Sequence, residues 1–186
     1  MTIETFQKDL ASLDDATLIN KYYISGSAFA LSEEKHHDLK QAVSAEFDVE
    51  YTSVFLVGSA KLGFSIKPSR RFMPFADTSD IDIVIISRDL FEKVWQEVYS
   101  FKSNGGYWPK MTSFMDYHFE GWIRPDLLPL EPSFVFSRRW WDFFENISGG
   151  GHYGPYKIYG GLYYSRYFLE HYQSKCFEQC RAELNK

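Results

Sequence analysis

Val54 to Ser87 reads VFLVGSAKLGFSIKPSRRFMPFADTSDIDIVIIS, and the fold turns on how this stretch is read. Its first four residues, Val54-Phe55-Leu56-Val57, are uniformly apolar and too few for a helix, which is the pattern of a buried strand. Gly58-Ser59 ends the run. Its last six, Ile81 to Ile86, form a second apolar run with Asp82 inside it and Asp80 just before it. The segment between carries Lys61, Lys67, Arg70 and Arg71 and two prolines. Two buried strands joined by a basic connection are therefore expected.

Helical periodicity lies on both sides of this unit. Residues 1–20 place Phe6, Leu10, Leu13 and Ile19 at helical spacing, which fits two short helices broken near Ser12 or Asp14. Tyr22 to Ser27 reads as a turn; its Gly26-Ser27 pair is followed by no acidic strand. Ser32 is placed to cap a helix reaching Phe47, with Glu33 and Glu34 in the first turn and Leu39, Ala42, Val43 and Phe47 along one face. His36 and His37 fall off that stripe and read as solvated. Ser87 is placed to cap a second helix, from Arg88 to Phe101, with Leu90, Val94, Val98 and Phe101 along its apolar face.

The C-terminal half is predicted as follows. Phe114 to Ile123, rich in aromatics, is expected as a strand, and the proline-rich 124–132 segment as a loop or edge. Ser137 to Ile147 reads as an amphipathic helix with Ser137 as its cap, and Ser148 to Gly154 as a glycine-rich linker. Lys157 to Tyr164 is expected as a strand or strand-to-helix junction. Arg166 to Leu184 is expected as a helix burying Tyr167, Phe168, Tyr172, Cys176, Phe177 and Cys180. The 186 residues fit one domain, with N-terminal helices (1–47) and a C-terminal helix (165–184) packed on it.

Composition narrows the function. A net charge of −5 argues against a protein that binds nucleic acid by neutralising phosphates, so nucleic acid is not a favoured partner. Aromatic residues make up 19% of the chain, read chiefly as core with a share left for stacking or interfaces. Cys176 and Cys180 are four apart, which is no disulfide framework; a metal site with His171 lacks a fourth ligand. With no secretory signal and no membrane span in the sequence, a cytoplasmic protein without a membrane partner is expected.

Alternation puts Asp80 and Asp82 on one face of the second strand, about 7 Å apart. Two carboxylates so placed can share a divalent cation, and magnesium takes one or two carboxylates together with substrate phosphates. Gly58 lets backbone approach a phosphate, and Ser59 can donate from its hydroxyl and N–H. Asp82 lies within an apolar run, where a carboxylate is costly unless something pairs with it.

A strand ending in Gly58-Ser59, followed by Ser79-Asp80-Ile81-Asp82-Ile83-Val84, resembles the signature of the DNA polymerase β-type nucleotidyltransferase superfamily. The resemblance covers about a fifth of the chain. It implies an α/β (α+β) fold with a mixed β-sheet flanked by helices. It also implies a nucleoside triphosphate held through Mg2+ (or Mn2+), its nucleotide passed to a hydroxyl acceptor. By that resemblance Gly58 and Ser59 hold the triphosphate and Asp80 and Asp82 ligate the metal. Lys61, nearest the Gly-Ser pair, is the expected phosphate contact.

Two features depart from that pattern. The spacer from Ala60 to Ser79 is long and basic, and reads equally as a solvated loop or as a flap over phosphates. The third carboxylate that the superfamily places on a later strand has no clean match; Glu120 is the best placed, with Asp116 and Asp126 behind it. Two functions are thus expected in competition. One is nucleotidyl transfer to a partner protein, a small molecule or RNA. The other is a catalytically degenerate module that binds nucleotide or a protein partner.

Overall fold

The computed structural model describes residues 2–184. Four strands form one open mixed sheet: β1 (Val54–Val57), β2 (Ile81–Ile86), β3 (Trp122–Ile123) and β4 (Ile158–Tyr163), in the order β1-β2-β4-β3. β2 runs antiparallel to β1 and parallel to β4, and β3 is antiparallel to β4. The molecule is therefore a mixed α/β fold. No helix among the described residues is long and apolar enough to cross a membrane.

The apolar runs of β1 and β2 are continuous because helices cover both faces of the sheet. On the first face, Val54, Leu56, Ile81, Ile83, Ile85, Ile158 and Leu162 meet three helices: α3 (Glu33–Phe47), α5 (Arg88–Ser103) and α7 (Val135–Gly149). Aromatic rings fill the space between them: Trp140 lies 4.7 Å from Phe47 and 4.9 Å from Phe144, centroid to centroid. Gly160 of β4 makes this packing possible, since a β-carbon there would lie 2.5 Å from the rings of both Trp140 and Phe144. On the second face, Val57, Val84 and Tyr163 meet α1 (Ile3–Ser12), α2 (Asp15–Ile19) and α8 (Arg166–Leu184) through Phe6, Leu10, Leu18, Ile19, Leu169 and Phe177.

Local signals place the starts of four helices. Thr2, Asp14, Ser32 and Ser87 accept from the N–H three residues on, at the starts of α1, α2, α3 and α5. At the other end of α1, Arg181 of α8 donates to the carbonyls of Leu10 (2.8 Å) and Leu13 (3.2 Å) and pairs with Asp15 (2.6 Å). Carbonyls that a helix end leaves unpaired are thus satisfied from another element.

Three expectations change. The 114–123 segment is not a strand: α6 (Met111–Phe119) occupies most of it, and only Trp122–Ile123 extends. Gly121, at φ +66°, turns the chain between the two. Ser137 does not cap α7, which starts two residues earlier; its hydroxyl is buried inside the helix without a hydrogen-bond partner. In α8 the buried side is Leu169, Gln173, Phe177 and Cys180, while Tyr167 is largely exposed. Phe168, Tyr172 and Cys176 pack partly buried against the same core, so the expected face holds apart from Tyr167 and widens to Leu169 and Gln173 at the four-residue spacing of Phe177.

Candidate metal and phosphate site

The chain leaves β1 directly into one short helix, α4 (Gly58–Leu62). Gly58 has φ +65°, a conformation that side-chain-bearing residues rarely adopt. A second requirement acts at the same position: a β-carbon on Gly58 would lie 2.8 Å from Oδ2 of Asp82. The glycine is what allows this carboxylate to sit against the β1–α4 turn. Register explains the approach, since Asp82 is the cross-strand partner of Val57, the residue just before Gly58.

Asp82 shares its face of the sheet with Val84 and so points toward the α1, α2 and α8 layer. Burial pushes its carboxyl pKa up; the ammonium of Lys67 works against this and Asp80 adds to it. No hydrogen bond contributes to holding the charge. Asp80 is exposed, one residue ahead of the strand. Ser59 is partly buried on the first turn of α4. The structure thus gathers Gly58, Ser59 and Asp82 at one end of β2, with Asp80 at the solvent edge of the same end.

Asp82 is a half-buried carboxylate with no hydrogen-bond partner among the described residues, packed against the turn at Gly58. Next to it is a second, exposed carboxylate. Hard oxygen donors in this arrangement fit magnesium, with the remaining positions left to ligand oxygens and water. Among the described residues, no group of three or more His, Cys, Asp or Glu side chains is gathered to hold a metal, His171, Cys176 and Cys180 included.

Glu120 does not join this site. It caps the end of α6 beside β3, where Trp122 pairs with Tyr163 at the far end of β4, and its carboxylate takes Lys175 at 3.2 Å. Asp82 pairs with Tyr159, four residues earlier along β4. At about 3.3 Å per residue the two acids are separated by at least ~13 Å along the sheet. Asp126 is held by the guanidinium of Arg124 through two hydrogen bonds of 3.1 and 3.0 Å, and Asp116 lies on the exposed side of α6.

Lys61 does not join it either. Its Nζ donates to the carbonyl of Gly26 at 2.6 Å and lines a recess to which none of Gly58, Ser59, Asp80 and Asp82 contributes. The cation that acts on Asp82 is Lys67, from the basic connection. That connection is neither a free flap nor a bare solvated loop. Ser65 and Met73 are hydrogen-bonded across it, Phe64 and Pro74 form a bridge, Phe64 and Ile66 enter the second core, and Arg71 forms an ion pair with Glu183 of α8.

Two residues beside Asp82 carried no signal in the sequence. Tyr159 is its register partner on β4 and shares its face of the sheet. Tyr23, almost fully buried, lies near enough to feel the Asp82 charge; burial is the first cause of its raised pKa, ahead of Cys176, Tyr172, Cys180 and Asp82. Strand pairing brings Tyr159 to Asp82 and packing in the second core brings Tyr23, and neither leaves a local pattern. No family model matches the chain, and neither a curated protein nor a solved structure matches it.

Proposed function

We propose that this protein is a magnesium-dependent nucleotidyltransferase of the DNA polymerase β type. It would bind a nucleoside triphosphate at Gly58, Ser59, Asp80 and Asp82 and pass the nucleoside monophosphate to a hydroxyl of a partner protein, a small molecule or RNA. One observation carries the reading: Asp82, half-buried and without a hydrogen-bond partner among the described residues, packs against a turn whose positive φ and close approach favour glycine. In the proposed reaction the acceptor oxygen bonds to the α-phosphorus, the bond to the bridging oxygen breaks, and pyrophosphate leaves. The acceptor proton passes to solvent. Asp80 and Asp82 would hold the divalent ion, which supplies charge neutralisation at the phosphates when bound. Ser59 would donate to a terminal phosphate oxygen, and Lys67 adds positive charge at the same end of β2.

A second reading is favoured by β4. Ile158–Tyr163 contains no carboxylate, and Tyr159 stands beside Asp82 where a general base would be useful. A module of this fold that binds magnesium nucleotide without turning it over fits that substitution. Incubating the protein with α-phosphate-labelled triphosphates, magnesium and cell extract separates the readings. Transfer is expected for wild type and loss of transfer for Asp80→Ala and Asp82→Ala. Equal labelling in all three sinks the enzymatic reading. Binding of nucleotide by wild type without transfer selects the second.

A further inference from the structure

Lys61 is only 6% exposed, yet among the described residues no carboxylate accompanies it. An ammonium has three donors, and among the described residues the one acceptor that Lys61 meets is the carbonyl of Gly26. The surroundings add positive charge. His36 is pushed down to about 4, by burial first and then by the charges of Lys61 and Lys40. Lys61 is itself lowered by burial and by Lys40. A buried charge so placed is costly unless an anion or a set of hydrogen bonds meets it.

The ammonium borders a recess of about 460 Å3 between the Ser25–Phe29 turn and α4. Tyr22, Phe29 and Leu62 give it apolar walls, and Ser25, Ser27 and Lys21 bring polar groups to it. The volume lies within the range of small-molecule sites, and apolar walls with a few convergent polar groups are their usual make-up. Lys21 is already committed to Asp9, which leaves Lys61 as the unmatched charge.

We propose that this recess is a second ligand site, separate from the carboxylate pair, for a small organic anion with an apolar body. Lys61 receives the anionic head, a carboxylate or a phosphate monoester, and Tyr22, Phe29 and Leu62 cover the body. The inference does not rest on the nucleotide reading, because its test contains neither magnesium nor a triphosphate.

The test is calorimetric titration of the full chain with benzoate, phenyl phosphate and inorganic phosphate in chelator-treated buffer. Saturable binding of benzoate or phenyl phosphate is expected, at least about tenfold tighter than inorganic phosphate; the tighter of the two identifies the head group. Lys61→Met should weaken it at least about tenfold and Lys61→Arg should retain it. Phe29→Ala, at an exposed position, should weaken binding of the aromatic anions while leaving the fold intact by circular dichroism. Asp82→Asn should change affinity less than twofold. Three results each overturn the proposal: no saturable binding to wild type, equal affinity for inorganic and phenyl phosphate, or equal loss in Asp82→Asn and Lys61→Met.

Discussion

Asp82 carries a burden that its sequence context announces: a carboxylate with an isoleucine on each side in a buried strand. Burial raises its pKa above the ordinary 3.8, so the folded state holds the proton more tightly than the unfolded chain. The ionised carboxylate therefore opposes folding. This cost is absent below the unfolded value and fully present once pH exceeds the raised folded value. In metal-free buffer, Asp82→Asn should raise the denaturation midpoint at pH 7 and lose that advantage near pH 3. Each kcal/mol of relief shifts the thermal midpoint by about 2–4 °C in a chain of this size. Magnesium should raise the midpoint of wild type at pH 7 and leave Asp82→Asn unmoved. Gly58→Ala faces both a positive φ and contact with Oδ2 of Asp82, and should destabilise by about 1–3 kcal/mol in urea titrations.

Elements were legible where a local rule governs them. Ser32 and Ser87 sit one residue before periodic apolar faces, and both cap the helices expected from them. Ser87→Ala should cost about 1 kcal/mol, measured by denaturation, because Leu90 N–H loses its 3.2 Å acceptor. Where packing overrides local pattern, sequence reasoning went astray. Phe114 to Phe119 looks like a strand because aromatic residues favour sheets, but Phe114, on a helix, is buried against Trp108, and helical spacing brings its ring to 5.6 Å from His118. Ser137 resembles a cap and is instead a buried helical residue, since Val135 and Phe136 already belong to α7. Trp140, on the same helix, joins Phe47, Phe136 and Phe144 in the first core. Trp140→Ala should therefore cost about 3–5 kcal/mol.

At the scale of the whole molecule, the sheet order separates residues that looked like one constellation. The Gly58-Ser59 and Asp80-Asp82 motifs meet because β1 and β2 are antiparallel neighbours, paired across the long basic connection between them. Tyr159, and not Glu120, stands beside Asp82 because β4 comes between β2 and β3, and nothing local in the sequence encodes that insertion. Glu120→Gln should consequently leave nucleotide binding and any transfer unchanged. It removes only an exposed ion pair with Lys175, worth about 0.2–1 kcal/mol. The single measurement that tests the central claim is calorimetric titration with magnesium and a non-hydrolysable nucleoside triphosphate of wild type, Asp82→Asn and Glu120→Gln. Magnesium-dependent binding by wild type and Glu120→Gln, weakened at least about tenfold (~1.4 kcal/mol) in Asp82→Asn, is predicted. Equal affinity in all three proteins, or binding indifferent to magnesium, would contradict a metal-triphosphate site at Asp82.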